Sequence, residues 1–375
     1  MTTRLQTNKP SVSVVMAVYN GGEYLPVAIE SVLTQSFDSF EFIIIDDCSA
    51  DGTPDVIRSF RDSRIVYIRN AENLGQTESL NVGLAVARGD FIARIDADDV
   101  WHAGKLEEQY RFMVARPDVV VCGTWADRID ATGDITGIFS PPTDPLDIRF
   151  RMLRASPVCH VSVLMRRDVI VASGGYRSRY RFAADYDLWS RLLGDGHSIV
   201  NLPVKLTQFR EMPQTFGTAN KIGPAGDESA EIIQSNASNL ARLDLGRGQC
   251  LSIALLFFPE AELPPRTLAE AYGNLELMAD ATYPSLPMRV RMELLAVLFW
   301  SEFKRAALLR SKGGGSQSIR KDLGGVLKAF RRRPVALIVA LVAVIMSVGG
   351  ADTGMRVKSW VMACIGRLGN SVSRR

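Results

Sequence analysis

The sequence is poor in the residues that staple small secreted folds. Its five cysteines, Cys48, Cys122, Cys159, Cys250 and Cys364, are scattered, odd in number and without a close pair, so neither a disulfide framework nor a zinc site is expected. A reducing cytoplasm suits such a chain. No GxGxxG and no Walker sequence occurs, which disfavours a dinucleotide or ATP site of the usual kinds. Ahead of the first apolar run stand Arg4 and Lys9 but no hydrophobic stretch, so no secretory signal is expected. The run from Val335 to Val348 is apolar yet only 14 residues long, short of the roughly 20 that cross a bilayer.

Net charge is also nearly lacking, +3 over 375 residues, but the balance hides a division. From Ser301 onward 15 Lys+Arg face 3 Asp+Glu, so a body of about −9 carries a tail of about +12. A mildly acidic body is a poor partner for nucleic acid, and none is expected. A basic tail with apolar runs suits an anionic membrane surface. With 47% hydrophobic and 23% charged residues the chain can build one large domain plus an appendage.

What is present centres on Phe91 to Leu106, FIARIDADDVWHAGKL, where a short apolar strand ends in Asp96, Asp98 and Asp99. Three carboxylates within four positions repel one another unless a cation lies between them. Hard oxygen ligands of this kind suit Mg2+ or Mn2+ held together with a substrate's phosphates. The alternative is an acidic helix cap at Asp98 or Asp99.

Around this stretch, strands and helices alternate. Ser11 to Val18 is apolar on both faces, as a central parallel strand would be, and Leu25, Ala28, Ile29, Val32 and Leu33 recur at helical spacing behind it. Glu41 to Ile45 and Ile65 to Ile68 read as strands, Thr77 to Ala87 and Lys105 to Val114 as helices, and Val119 to Cys122 as a fifth strand. Trp125 to Pro145, with three prolines and two glycines, reads as a hairpin or excursion outside the core. The pattern predicts an α/β domain with a mostly parallel sheet and helices on both faces. Ligands then bind at the carboxyl ends of the strands, where Tyr19 and Asn20, Asp46 to Thr53, Asn73 to Gln76 and Asp96 to Asp99 all fall.

At these residues the sequence resembles glycosyltransferase family 2, the inverting enzymes of the GT-A fold. The likeness rests on VSVVMAVYNGGEYLPVAIESVLTQSF, FIIIDDCSADGT, the NLG at Asn73 to Gly75, RGDFIARIDADD with W....KLEEQ behind it, and PVCHVSVLMRR...GGYR...ADYDLW. It runs from about Pro10 to about Arg210. The resemblance implies a nucleotide-sugar donor, a UDP-sugar above all, with Tyr19, Asn20, Asp47, Asn73 and Asp96 as donor-binding residues. Asp47 would accept a hydrogen bond from a uracil-like base, Asp96 would lie near the ribose or donor sugar, and Asp98 would hold the divalent metal, Mn2+ or Mg2+. Asp185 would be the catalytic base, against the alternative of a helix-start cap. His160 and Trp189 are candidate contacts to acceptor or diphosphate, and His160 reads equally well as a structural residue. Asp187 is expected to pair with Arg191 at i+4, and Asp99 to cap the next helix.

One position departs from the family: Ala184 stands where a glutamate often precedes the aspartate. That departure keeps open a nucleotide-sugar-binding or scaffolding protein without turnover, in the same pathway. A nucleotidyltransferase is disfavoured, because no Gly-rich, lysine-bearing loop follows the first strand. The expected organisation is a catalytic domain over 1–215, a helical extension over 216–310, and a basic tail over 311–375. The tail opens with the linker-like SKGGGSQS and is expected to lie on the cytoplasmic face of the membrane or to pack as a helical subdomain. The acceptor implied is a saccharide or lipid-linked saccharide in cell-surface polysaccharide or glycolipid synthesis.

Overall fold

A computed structural model describes residues 9–211, 219–239 and 242–255, together with Asn274, Met278 and Ala281. The chain divides into two compact units, Met1–Leu240 and Ala241–Arg375. The expected linker, basic stripe and apolar run of the tail lie outside the described residues. Among the described residues no helix is long and apolar enough to cross a membrane.

The first unit is built on β1 (Val12–Val18), buried along its whole length. It pairs in parallel with β2 (Phe40–Asp46) on one side and β4 (Phe91–Arg94) on the other, and β3 (Ile65–Arg69) adds in parallel to β2. Alternation sorts the side chains of β1. Val12, Val14, Met16 and Val18 pack with Leu25, Ala28, Ile29 and Val32 of α1 (Leu25–Leu33). On the opposite face lies α3 (Gln76–Val86), the connection from β3 to β4, separated from α1 in the chain by α2 (Thr53–Ser59). Gly83 of α3 sits so close to the sheet that a Cβ there would lie 2.5 Å from Val15 Cγ1. Strand order thus reverses direction between β1 and β4, the kind of switch point where α/β sheets open a crevice.

Beyond β4 the parallel arrangement gives way to a mixed one. The sheet continues through β8 (Leu164–Arg166), β6 (Val119–Ile129), β9 (Ser198–Arg210) and the short β5 (Val100–Trp101), with β7 (Ile135–Phe139) paired to β6. β8 runs antiparallel to both β4 and β6, whereas β6 and β9 run parallel. The strand expected to stop at Cys122 therefore continues to Ile129, because β9 pairs with it from Val119 to Ile129. Ala126 and Ile129 are core residues, so only the β7 limb of the expected excursion lies outside, where Ile135 and Ile138 are exposed.

The W....KLEEQ motif is a brace behind the acidic loop. The Lys105 ammonium of α4 (Lys105–Ala115) lies 3.8 Å from the Trp101 ring centroid and donates to Gln109 Oε1 at 2.8 Å. Gln109 in turn donates to the Cys122 and Ser162 carbonyls. Burial pushes Lys105 down to about 7, which a site without a carboxylate partner requires. Past β8 come α7 (Ala184–Gly194) and α8 (Ala219–Asn239), with the short α5 (Pro145–Met152) and α6 (Arg167–Ala172) ahead of them. α8 packs on α7 within the first unit, although it lies beyond residue 215.

The amino-terminal edge of the sheet is closed by a buried carboxylate. Glu41 accepts from Ser13 Oγ at 2.6 Å, the Arg88 backbone N–H at 2.7 Å and Arg88 Nε at 2.8 Å. Burial alone would raise its pKa, but the bonds from Ser13 and Arg88 outweigh that and leave it below the ordinary glutamate value. Glu41→Ala is expected to cost about 2–3 kcal/mol in urea unfolding at pH 7. Because the folded-state pKa is the lower one, this contribution is complete above the unfolded value and lost as pH falls through the folded one. The gap between variant and wild type should therefore close on acidification.

Candidate active site

The carboxyl ends of β1, β2 and β4 open onto a cleft of about 400 Å3 lined by Tyr19, Asn20, Tyr24, Asp47, Gln76, Asp96 and Asp98 among others. That volume is in the range of small-ligand sites. Asn20 adopts a left-handed conformation, φ 52°, in which its side-chain oxygen accepts from the Ala50 N–H at 2.9 Å and its own N–H donates to Ser49 Oγ. The loop after β1 is thereby pinned to the loop after β2, and Tyr19 is left projecting, 54% exposed.

The two acids ending β2 have separate duties. Asp46 is fully buried and accepts from the Ser49 N–H and the Tyr67 hydroxyl, both at 2.8 Å, so it braces the loop and does not face the cleft. Asp47 lines the cleft and holds the 70–75 loop. Its Oδ1 accepts from Asn70 Nδ2 and the Leu74 N–H, its Oδ2 from the Gly75 N–H, each at 2.8 Å. Two oxygens offer about four lone-pair positions, so one on Oδ2 is left for a further donor. Asn73 stands exposed on that loop and is not among the cleft-lining residues, whereas Gln76 is, donating to Asp96 Oδ1 at 3.0 Å.

Asp96, Asp98 and Asp99 can bring one oxygen each within 4.8 Å of one another. Burial and the neighbouring Asp96 push Asp98 up to about 6, and burial, Asp96 and Asp98 raise Asp99 well above the ordinary range. Such shifts mark carboxyls that burial, more than their neighbours' charge, holds back from ionising. The expectation that Asp99 caps the next helix is corrected. α4 begins at Lys105 with Gly104 as its N-cap, and β5 intervenes. Asp99 instead accepts the Arg210 N–H at 2.8 Å with Oδ1, while its buried Oδ2 has no partner. An orphaned buried carboxylate oxygen beside two further carboxylates is a donor set that fits a hard divalent cation.

Two arginines frame the cluster. Arg94, 3% exposed, forms a close ion pair with Asp96. Arg210, ending β9, donates to the Asp98 carbonyl at 2.9 Å and the Asp130 carbonyl at 2.5 Å and lies over the Tyr24 ring at 4.2 Å. Arg94 was discernible as a cation in an apolar strand two residues from an acid. Arg210 had no local signal, since its partners lie about 80 and 110 residues earlier.

The second group comes from β8 onward. Asp185 occupies the first turn of α7, half-buried. Burial raises its pKa, while the Ser156 hydroxyl, the Tyr186 N–H and the Arg94 charge pull the other way. His160 shares a 2.7 Å hydrogen bond with the Tyr176 hydroxyl and meets Trp189 edge-on at 6.0 Å. Burial, then Arg94, lowers its pKa well below the ordinary value, so the imidazole is neutral at pH 7. Trp189 is 0% exposed, so the acceptor or diphosphate contact expected of it is corrected: it packs beneath His160 on the inner face of α7. Asp187 pairs with Arg191 at 2.9 Å, as its spacing implies, and Arg191 also donates to the Ser173 and Gly175 carbonyls at 2.6 Å.

Carboxylates that follow two parallel strands, β2 and β4, line one cleft, at the strand ends where α/β proteins bind polar ligands. The comparisons make the class specific. Residues 13–172 match the model for glycosyl transferase family 2. The EpsE protein of Bacillus subtilis is 35% identical over 212 residues, 55% of this chain and 75% of its own length. The Escherichia coli UDP-Glc:alpha-D-GlcNAc-diphosphoundecaprenol beta-1,3-glucosyltransferase WfaP is 31% identical over 53% of this chain and 76% of its own. Among solved structures, S. aureus TarS 1–349 in complex with UDP-GlcNAc matches the fold with a TM-score of 0.53 at 18% identity, over 82% of this chain and 93% of that one. The chain belongs to glycosyltransferase family 2 and has the GT-A fold.

The role of Asp47 as an anchor is directly measurable. Asp47→Ala is expected to release the Leu74 and Gly75 amides, each losing a bond to a charged acceptor worth about 1.5–3 kcal/mol. Hydrogen exchange in a peptide spanning 70–76 should accelerate by roughly ten- to a hundredfold, with exchange in β1 unchanged.

Proposed function

We propose that the protein is an inverting, metal-dependent glycosyltransferase that moves a sugar from a nucleoside-diphosphate donor to an acceptor hydroxyl. The observation that carries this reading is the crowding of Asp96, Asp98 and Asp99 oxygens within 4.8 Å beside the cleft, one of them buried without a partner. Asp98 and Asp99, with Asp96, would hold Mn2+ or Mg2+. The cation supplies stabilisation of the negative charge that builds on the diphosphate as the glycosidic bond breaks.

The chain's own groups account for the rest. The vacant lone-pair position of Asp47 suits the imide N–H of uracil, and Tyr19 offers an aromatic face beside it, which supports a UDP-sugar. Asp185 takes the acceptor hydroxyl proton as that oxygen forms its bond to C1. The bond from C1 to the diphosphate oxygen breaks on the opposite face, and its electron pair leaves with the nucleoside diphosphate. One displacement inverts the anomeric centre. The neutral His160–Tyr176 pair and the Asp187–Arg191 pair keep the floor beneath Asp185 rigid. The donor and the lipid-diphosphate acceptor in the name of the related WfaP enzyme support a UDP-sugar and a lipid-linked saccharide here. The +12 tail supports residence at an anionic cytoplasmic membrane surface.

Asp185→Asn is expected to lower transfer about 10²–10⁴-fold with donor binding retained. Since the base must be ionised and its pKa is raised, wild-type activity should fall as pH drops through that raised value. Chelation should abolish turnover and Mn2+ restore it, with Asp98→Asn requiring far more metal. Full activity of Asp185→Asn, or turnover indifferent to chelation, would sink the reading. A chain lacking residues 311–375 is expected to move from the membrane pellet to the soluble fraction.

A further inference from the structure

The helix that carries Asp185 does not cap itself. Its N-cap position is Ala183, which offers no side-chain acceptor, and Phe182 before it is 42% exposed. The leading N–H groups of a helix need acceptors from somewhere. The N-cap amide of Ala183 and the two amides leading into it find theirs in α8, through one carboxylate. Glu228 Oε1 accepts the Arg181 N–H at 2.9 Å, and its Oε2 accepts the Phe182 N–H at 2.7 Å and the Ala183 N–H at 2.9 Å. Three consecutive amides converge on one anion at the positive end of α7, the arrangement that helix termini offer to phosphates and carboxylates.

α8 is fixed in turn on the body of α7. Asn236 Nδ2 donates to the Met152 carbonyl at 2.8 Å and to the Tyr186 hydroxyl at 3.2 Å, and Asn236 Oδ1 accepts from Ser190. The Tyr186 hydroxyl donates to the same Met152 carbonyl at 2.7 Å. Upstream, Thr77 Oγ1 of α3 donates to the Tyr180 carbonyl at 2.9 Å. The chain on either side of Asp185 is therefore tied down: Tyr180 to α3, 181–183 to Glu228, Tyr186 to Met152, and Asp187 to Arg191. Of these ties, the one at Glu228 sits at the point where the chain enters the helix and sets its direction.

We propose that Glu228 is a positioning residue for the transfer step: by capping α7 from a neighbouring helix, it aims the Asp185 carboxylate at the acceptor hydroxyl. This rests on the reading of Asp185 as the base. A displacement of about 1 Å in a catalytic group costs on the order of a hundredfold in rate. Glu228→Ala is expected to lower kcat about ten- to a hundredfold, leave the donor KM within about twofold and speed hydrogen exchange over 181–186. Glu228→Gln, whose amide oxygen still accepts, should recover kcat to within about fivefold. Glu231→Ala, an exposed carboxylate one turn further along α8, should change none of these. Should Glu228→Ala fail to fold, Glu228→Asp, which keeps the charge but withdraws it by one methylene, takes its place with the same expectation.

Unchanged kcat together with faster exchange over 181–186 would overturn the proposal, since the cap would then be lost without consequence. So would a parallel fall in kcat and rise in donor KM that glutamine does not relieve. Asp185→Asn, run alongside, separates the two readings. Activity in that variant removes the base itself, whereas an inactive Asp185→Asn beside fully active Glu228 variants removes only the positioning role.

Discussion

Mutual repulsion among three aspartates governs the architecture of this domain. Two like charges about 4 Å apart repel by roughly 4 kcal/mol at an effective dielectric of 20, and Asp96, Asp98 and Asp99 are held within 4.8 Å. A loop that gathers such groups is held by counter-charge and hydrogen bonds. The restraint comes from both sides: Arg94 inside β4 neutralises Asp96, and Arg210 at the far end of β9 grips the Asp98 carbonyl and the Asp99 carboxylate. The long β6–β9 pairing delivers Arg210 to that point. Burial first, and then the neighbouring Asp96, leave Asp98 with a raised pKa, so the cluster is not a closed ion-pair network.

The other acids of the domain show the opposite condition. Glu41, Asp46, Asp187 and Glu228 each have hydrogen-bond donors matched to their oxygens, and all but Asp187 join segments distant in the chain. Asp47 lies between the two classes, with three of about four positions filled. Counting filled and vacant lone pairs thus separates the carboxylates that hold the fold from those free to meet a ligand. Residue type alone does not, since the adjacent Asp46 and Asp47 fall on different sides of the line.

The buried aromatic and imidazole groups beneath the cleft follow the same division. His160 and Trp189 carry chemical functions that look catalytic in a sequence, yet Trp189 has no exposed surface and His160 is engaged by Tyr176. Their contribution is a stiff platform between the β4 acids and the first turn of α7. Lys105, buried against the Trp101 ring, plays the equivalent part behind the acidic loop.

Local periodicity determined much of the molecule. The run Val12–Val18 reads as a central strand, the spacing of Leu25, Ala28, Ile29 and Val32 as a helix laid against it, and the acids after Ile95 as falling at a strand's end, and each is so placed. The Asp187–Arg191 pair was equally readable, because i and i+4 are neighbours on any helix. Contacts across long separations were decided by the tertiary structure alone. The extension of β6 to Ile129 needed a partner strand about 80 residues away, the true role of Asp99 needed Arg210, and the start of α7 needed a carboxylate from α8. A sequence records which residues want partners; only the closed sheet and its packed helices decide which distant atoms come near enough to satisfy them.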